Sequence, residues 1–239
     1  MAQDDLAQSR PFGGVSAVNV DERVTTFLRA VYGWMCTGLA ITAGTAWFVA
    51  SSPAVVNTII ANRSLFWILA LAQIGIVVAL SARVDKLSAS TASGLFIVYS
   101  ALTGVTLSFV LLAYTGESVA STFLVTAATF GALALYGTFT RRSLAGMGQF
   151  MFMGLIGLLI ATFIGFFWQN DGLQFMISLV GVIVFTGLTA WDAQRLKAMA
   201  LAVDGGRASQ YAVVGALSLY LNFINLFLFL LRFLGGRRR

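Results

Sequence analysis

Asp192 is the residue of this chain most able to do chemistry where chemistry is hard to place. It closes the long apolar run from Ile177 to Trp191, whereas the other eight acids (Asp4, Asp5, Asp21, Glu22, Asp85, Glu117, Asp171, Asp204) fall in an N-terminal tail or in short polar connections. A carboxylate at the margin of hydrocarbon costs about 2–3 kcal/mol even on lenient insertion scales, so it seeks a partner or a water-filled cavity. The plainer alternative is that Asp192 ends a helix at the headgroup level. A second polar feature lies in the last apolar run, Ala216–Phe227, where Ser218, Asn222 and Asn225 are spaced i, i+4, i+7. On a helix that spacing forms one stripe. An amide in hydrocarbon needs a partner across helices, worth about 0.6–2 kcal/mol. The stripe therefore serves as interhelical glue or lines an ion path. Arg83, at the end of an earlier apolar run, offers a cation for Asp192; Arg195 is nearer in sequence, and Arg83 is also able to snorkel.

Those side chains must be held by membrane-spanning elements. Hydrophobic residues make up 59% of the 239 and charged residues only 10%, against about 25% charged in a soluble domain. The blocks are uniformly apolar and about 20 residues long, as helices need, not short and alternating as in a barrel. Seven can be drawn, over roughly 27–50, 59–82, 92–114, 118–139, 147–168, 174–192 and 211–234. Residues 1–22 read as a mobile polar tail ahead of a seven-helix transmembrane domain over 23–239. The first 20 residues have no continuous apolar core, so the first span is expected to act as its own uncleaved insertion signal. The connections are short, and the one with room for a loop of its own runs from about Ala193 to Gln210, with Asp204-Gly205-Gly206-Arg207.

Seven spans put the N-terminus on the same side as Arg10, Arg23, Arg29, Arg83, Lys86, Arg141, Arg142, Arg195, Lys197 and Arg207. The opposite side carries Arg63, Arg232 and the terminal Arg237-Arg238-Arg239. The bias predicts a cytoplasmic N-terminus, with the arginine tail as the contrary signal. The net charge of +6 is explained by basic residues flanking spans and touching the lipid bilayer, with no call for nucleic acid. Small residues (Gly33, Gly38, Gly44, Gly148, Gly154, Gly157, Gly165) suit close helix packing. Trp34, Trp47, Trp67, Trp168 and Trp191 read mostly as interfacial anchors.

Catalytic classes fare poorly. There is no His, one Cys (Cys36), no second intramembrane acid, and no HExxH, GxSxG or Walker A pattern. The commonest metal ligand and the usual general base are therefore missing, and no thiolate metal site or intrachain disulfide is possible. The chain is expected not to be an enzyme.

Two separated segments carry a resemblance. Val182–Lys197, centred on Thr189-Ala190-Trp191-Asp192, and Gly215–Phe227, with Leu219-Tyr220-Leu221-Asn222-Phe223-Ile224-Asn225, resemble the paired signature of the Bax inhibitor-1 family. Val31-Tyr32-Gly33-Trp34-Met35 and Tyr99–Gly104 extend the likeness over the chain from about residue 23. The resemblance implies an all-α membrane protein of seven helices with the last one central, and a pH-sensitive calcium leak in a bacterial inner membrane. Two aspartates share a proton in that picture, and an arginine of the second span latches them. Asp192 falls on the first aspartate and Arg83 on the arginine. Asn222 stands where the family usually has the second aspartate.

Two acids in contact cannot both ionise cheaply, whereas an amide donating to Asp192 favours its charged form. Asp192 is therefore expected to be ionised near neutral pH, with proton gating blunted or shifted to lower pH. Calcium would be the permeant ion and no cofactor is implied. Asp192, the Asn222 and Asn225 amides and backbone carbonyls would give a weak, transient oxygen site. The alternative is a stress regulator that binds another membrane protein, such as a quality-control protease, through its N-terminal tail.

Overall fold

The computed structural model describes residues 17–168 and 170–236, all of whose regular elements are helical. In chain order these are α1 (Ala17–Ala50), α2 (Pro53–Ala61), α3 (Arg63–Ala82), α4 (Ala89–Ala113), α5 (Gly116–Phe139), α6 (Ala145–Phe167), α7 (Asp171–Ala202) and α8 (Ala208–Leu234). Six of them, all but α2 and α3, are long and apolar enough to cross a membrane. Within α3 the apolar stretch is the shorter Trp67–Ala82.

Local chemistry fixes many of the ends. Ser88 and Thr115 each accept a hydrogen bond from the backbone N–H three residues on, and the Asn170 side chain accepts from both Gly172 and Leu173. These side chains satisfy donors that the first helical turn leaves without partners. Pro53 opens α2, where its missing N–H costs nothing.

Four expectations about the elements are corrected. The apolar block over 59–82 is not one helix: Asn62, with φ −107° and ψ 83°, breaks it between α2 and α3. Residues 17–22, read as tail, are the first turns of α1; the rest of that tail and residues 237–239 lie outside the described residues. The polar stretch after Asp192 is not a loop, because α7 continues to Ala202 and only Val203–Arg207 separates it from α8. Asp192 consequently does not end its helix. It lies nearly three turns inside, because Ala193, Leu196 and Ala200 are buried and carry the helix on.

Helix α8 is the most enclosed of the long helices. Its most apolar window is 67% buried, against 11% for that of α6. It packs against α1, α4, α5 and α7, and lightly against α3. Tyr220, Leu217, Leu219 and Leu226 on it are essentially inaccessible. The outer surface carries Phe150, Phe163, Leu71 and Leu124, all largely exposed, as expected where the solvent is lipid. Close approach depends on particular glycines. A Cβ at Gly137 would meet the Ala190 carbonyl of α7, one at Gly148 the Trp191 ring, and one at Gly38 the Phe96 ring. Gly33, Gly44 and Gly157 have open space around them, so these three do not serve close packing.

Hydrogen bonds join the helix ends in two groups. Arg23 donates to the Val203 carbonyl, Lys197 to that of Thr138, and Arg207 and Tyr211 both donate to Asp85. These bonds gather the start of α1, the ends of α3, α5 and α7, and the start of α8. At the opposite end, Thr115 donates to the Gly236 carbonyl and Gly236 to the Ser118 hydroxyl.

Candidate functional site

The site is built where α7 and α8 run side by side. Asp192 Oδ2 accepts hydrogen bonds from Ser218 Oγ at 2.7 Å and from Asn222 Nδ2 at 2.8 Å. Its other oxygen, Oδ1, faces Arg195 Nη1 at 3.6 Å. Asp192 and Asn222 are both only 5% exposed, so the pair is withdrawn from lipid and from bulk water. The i, i+4 spacing of Ser218 and Asn222 puts both donors on the α8 face that meets α7. The i, i+3 spacing of Asp192 and Arg195 puts acid and base on one side of α7. Each polar atom of the carboxylate is thus engaged, which is the condition for keeping a charge in a low-dielectric place.

A cavity of about 230 Å³ adjoins the carboxylate, with Ser81, Arg195, Met199, Val214, Ser218 and Leu221 in its walls. Ser81 brings the end of α3 to this cavity. Arg195 spans two environments. Its side chain is 50% exposed, and its guanidinium lies 5.4 Å above the Trp191 ring. The Trp191 ring also packs on Gly148.

Of the residues singled out in the sequence, Asp192, Ser218 and Asn222 come together. Arg83 does not join them: it is exposed, follows the last turn of α3, and makes no ion pair among the described residues. The cation on Asp192 is Arg195, since α7 continues past the acid and carries its own base one turn on. Asn225 is also turned elsewhere. Its Nδ2 donates to the Leu221 carbonyl of its own helix at 2.8 Å and not to Asp192. No cluster of three or more acidic, His or Cys side chains capable of holding a metal occurs among the described residues.

Sequence reasoning missed a second buried polar group, on the other side of α8. Thr42 Oγ1 of α1 lies 2.6 Å from the Tyr220 hydroxyl and donates to the Ser100 carbonyl of α4 at 2.8 Å. With the Thr42 proton committed to Ser100, Tyr220 is the donor to Thr42. Phe96 and Tyr99 meet the Tyr220 ring edge-on at 5.7 and 5.8 Å. Tyr99, Ser100 and Tyr220 stood inside the recognised segments, but nothing in their spacing pointed to Thr42.

A helical bundle with six helices long and apolar enough to cross a membrane and, among the described residues, one buried carboxylate defines a polytopic membrane protein with a buried polar site. The family model described as "Inhibitor of apoptosis-promoting Bax1" matches residues 24–239. The chain is 48% identical over 216 residues to the inner membrane protein YbhL of Escherichia coli strain K12, covering 89% of this chain and 92% of that protein. It is 40% identical over 219 residues to the uncharacterized protein RP147 of Rickettsia prowazekii, covering 91% and 92%, and 37% identical over 217 residues to YrjE of Lactococcus lactis, covering 89% and 91%. The chain belongs to the Bax inhibitor-1 family.

Proposed function

We propose that the chain is a calcium-permeable cation leak channel of the bacterial inner membrane, gated at Asp192. It acts by passage and not by catalysis. The observation that carries this reading is a 5%-exposed carboxylate beside a cavity of about 230 Å³, held by two uncharged donors and one half-exposed arginine. The two donors and the arginine already engage both carboxylate oxygens, so the cavity beside them is room for an ion or water to reach the acid. A permeating cation needs oxygen atoms that can be released to it, and a hard divalent ion prefers carboxylate, hydroxyl and amide oxygens. With Arg195 on Oδ1, and with Phe185, Leu188 and Leu226 packed together along the same two helices, the arrangement has the character of a closed state.

In this reading α3 also crosses the bilayer, giving seven spans around α8 as the axis. The support is that the end of α3 lies with the start of α1, while Gly236 lies with the opposite group of helix ends. The Lys/Arg bias then makes the N-terminal side cytoplasmic. The inner-membrane location follows that of the YbhL relative.

The test is calcium entry into proteoliposomes across pH, comparing the chain with Asp192→Ala and Asn222→Asp. Asp192→Ala is expected to reduce flux at least tenfold. Asn222→Asp places a second acid against Asp192, so its flux should show a step in pH that is larger, or nearer neutral, than that of the parent, because two carboxylates in contact share a proton. Equal flux for the parent and Asp192→Ala overturns the reading.

A further inference from the structure

We propose that the cleft between α3, α7 and α8 beside Asp192 binds the phosphate of an anionic phospholipid, with Arg195 as its ligand. Arg195 is the residue that invites this. Its guanidinium carries five N–H donors, yet none makes a hydrogen bond to a described residue; its engagements are the ion pair at 3.6 Å and the face of Trp191. A planar fork of free donors, half-exposed, matches two oxygens of a phosphate.

The depth of Arg195 is right for a headgroup. Its neighbour Gln194 accepts from the Leu144 N–H and donates to the Arg142 carbonyl, and Lys197 donates to the Thr138 carbonyl. Those backbone groups are the last turn of α5 and the lead into α6, so Arg195 stands level with the ends of two apolar helices, where phosphates lie. Of the cleft walls, Leu196, Met199 and Val214 lie toward the helix ends, Leu217 is about level with Arg195, and Leu221 lies on the apolar side of it. A free phosphate has no use for that wall, whereas the first carbons of an acyl chain do. The shared chemistry is a phosphate anion, and the apolar wall selects the lipid.

Asp192 opposes an anion nearby, and this makes the site a competition. One guanidinium cannot give its best geometry to both groups, so a bound headgroup draws Arg195 outward and leaves Oδ1 of Asp192 without its cation. The effect of this on conduction rests on the function proposed above; the binding itself does not.

The experiment is native mass spectrometry of the full chain in a neutral detergent, titrated with phosphatidylglycerol, phosphatidylcholine or inorganic phosphate. The parent is expected to retain phosphatidylglycerol over phosphatidylcholine. One basic residue near an anionic surface is worth about 1 kcal/mol, so Arg195→Gln should lose about fivefold in that preference. Arg195→Lys should retain part of it. Asp192→Asn, which frees Arg195, should strengthen phosphatidylglycerol binding. An unchanged preference in Arg195→Gln overturns the proposal, as does unchanged binding in Asp192→Asn. Displacement of the lipid by millimolar inorganic phosphate also overturns it, since the site would then be one for soluble anions. None of these readings depends on calcium flux, so failure here leaves the channel proposal standing, and the reverse.

Discussion

The two sides of α8 each bury polar atoms, and they do so in opposite ways. Toward α1 and α4, the Tyr220 and Thr42 hydroxyls and the Ser100 carbonyl form a short chain of neutral hydrogen bonds inside an aromatic shell. Thr42 is 2% exposed and Tyr220 0%. Toward α7, Ser218 and Asn222 converge on a charge, a cavity adjoins it, and the arginine that completes it is half in solvent. The first arrangement is satisfied within itself and fastens three helices. The second depends for its charge partner on Arg195, whose side chain is half-exposed. Burial of polar groups is common to both sides; a half-exposed partner beside a cavity distinguishes the α7 side.

Substitutions can break this contrast. Among substitutions on α8 the largest change is expected from Asn222→Asp, which turns a donor 2.8 Å from Asp192 into a second acid. The pH-dependent step in calcium flux should grow or move towards neutral pH, and the same change should leave the Tyr220 side of α8 intact, as judged by near-ultraviolet circular dichroism. Tyr220→Phe comes next and acts in the other way. It removes the hydroxyl that donates to Thr42 and should lower stability by about 0.6–1 kcal/mol in detergent unfolding, with flux within twofold of the parent. A large flux change in Tyr220→Phe would mean that the two sides are coupled. Asn225→Leu is expected to be the mildest. Among the described residues the amide bonds its own helix alone, so stability should move by no more than about 0.5 kcal/mol and flux should hold, which separates Asn225 from the Ser218–Asn222 pair.

Much of this site could be read from the sequence. Apolar block length gives the helical membrane class, and the i, i+4 pair Ser218 and Asn222 meets Asp192 as a polar stripe inside a bundle should. In the sequence Arg195 stands only as the alternative cation to Arg83, for a physical reason. The run Asp-Ala-Gln-Arg-Leu-Lys has the charge density of a connection, but buried Ala193, Leu196 and Ala200 keep it helical, which places Arg195 on the acid's own face. Arg83 was assigned by resemblance and by its position at the end of a span, neither of which fixes where a long flexible side chain rests. Asn225 followed the stripe's periodicity, but a side-chain bond to its own helix competes with any partner across helices. The break at Asn62 hid inside a continuous apolar composition, because a single residue with non-helical dihedrals leaves the hydropathy of its neighbours unchanged.

The most direct measurement is calcium entry into proteoliposomes for the parent and for Asp192→Asn, which keeps the side chain's shape and removes its charge. The account predicts at least a tenfold loss of flux, with both proteins equally folded by size-exclusion profile and helical content. Parent-like calcium entry in Asp192→Asn would contradict it and return Asp192 to the same structural role as Tyr220.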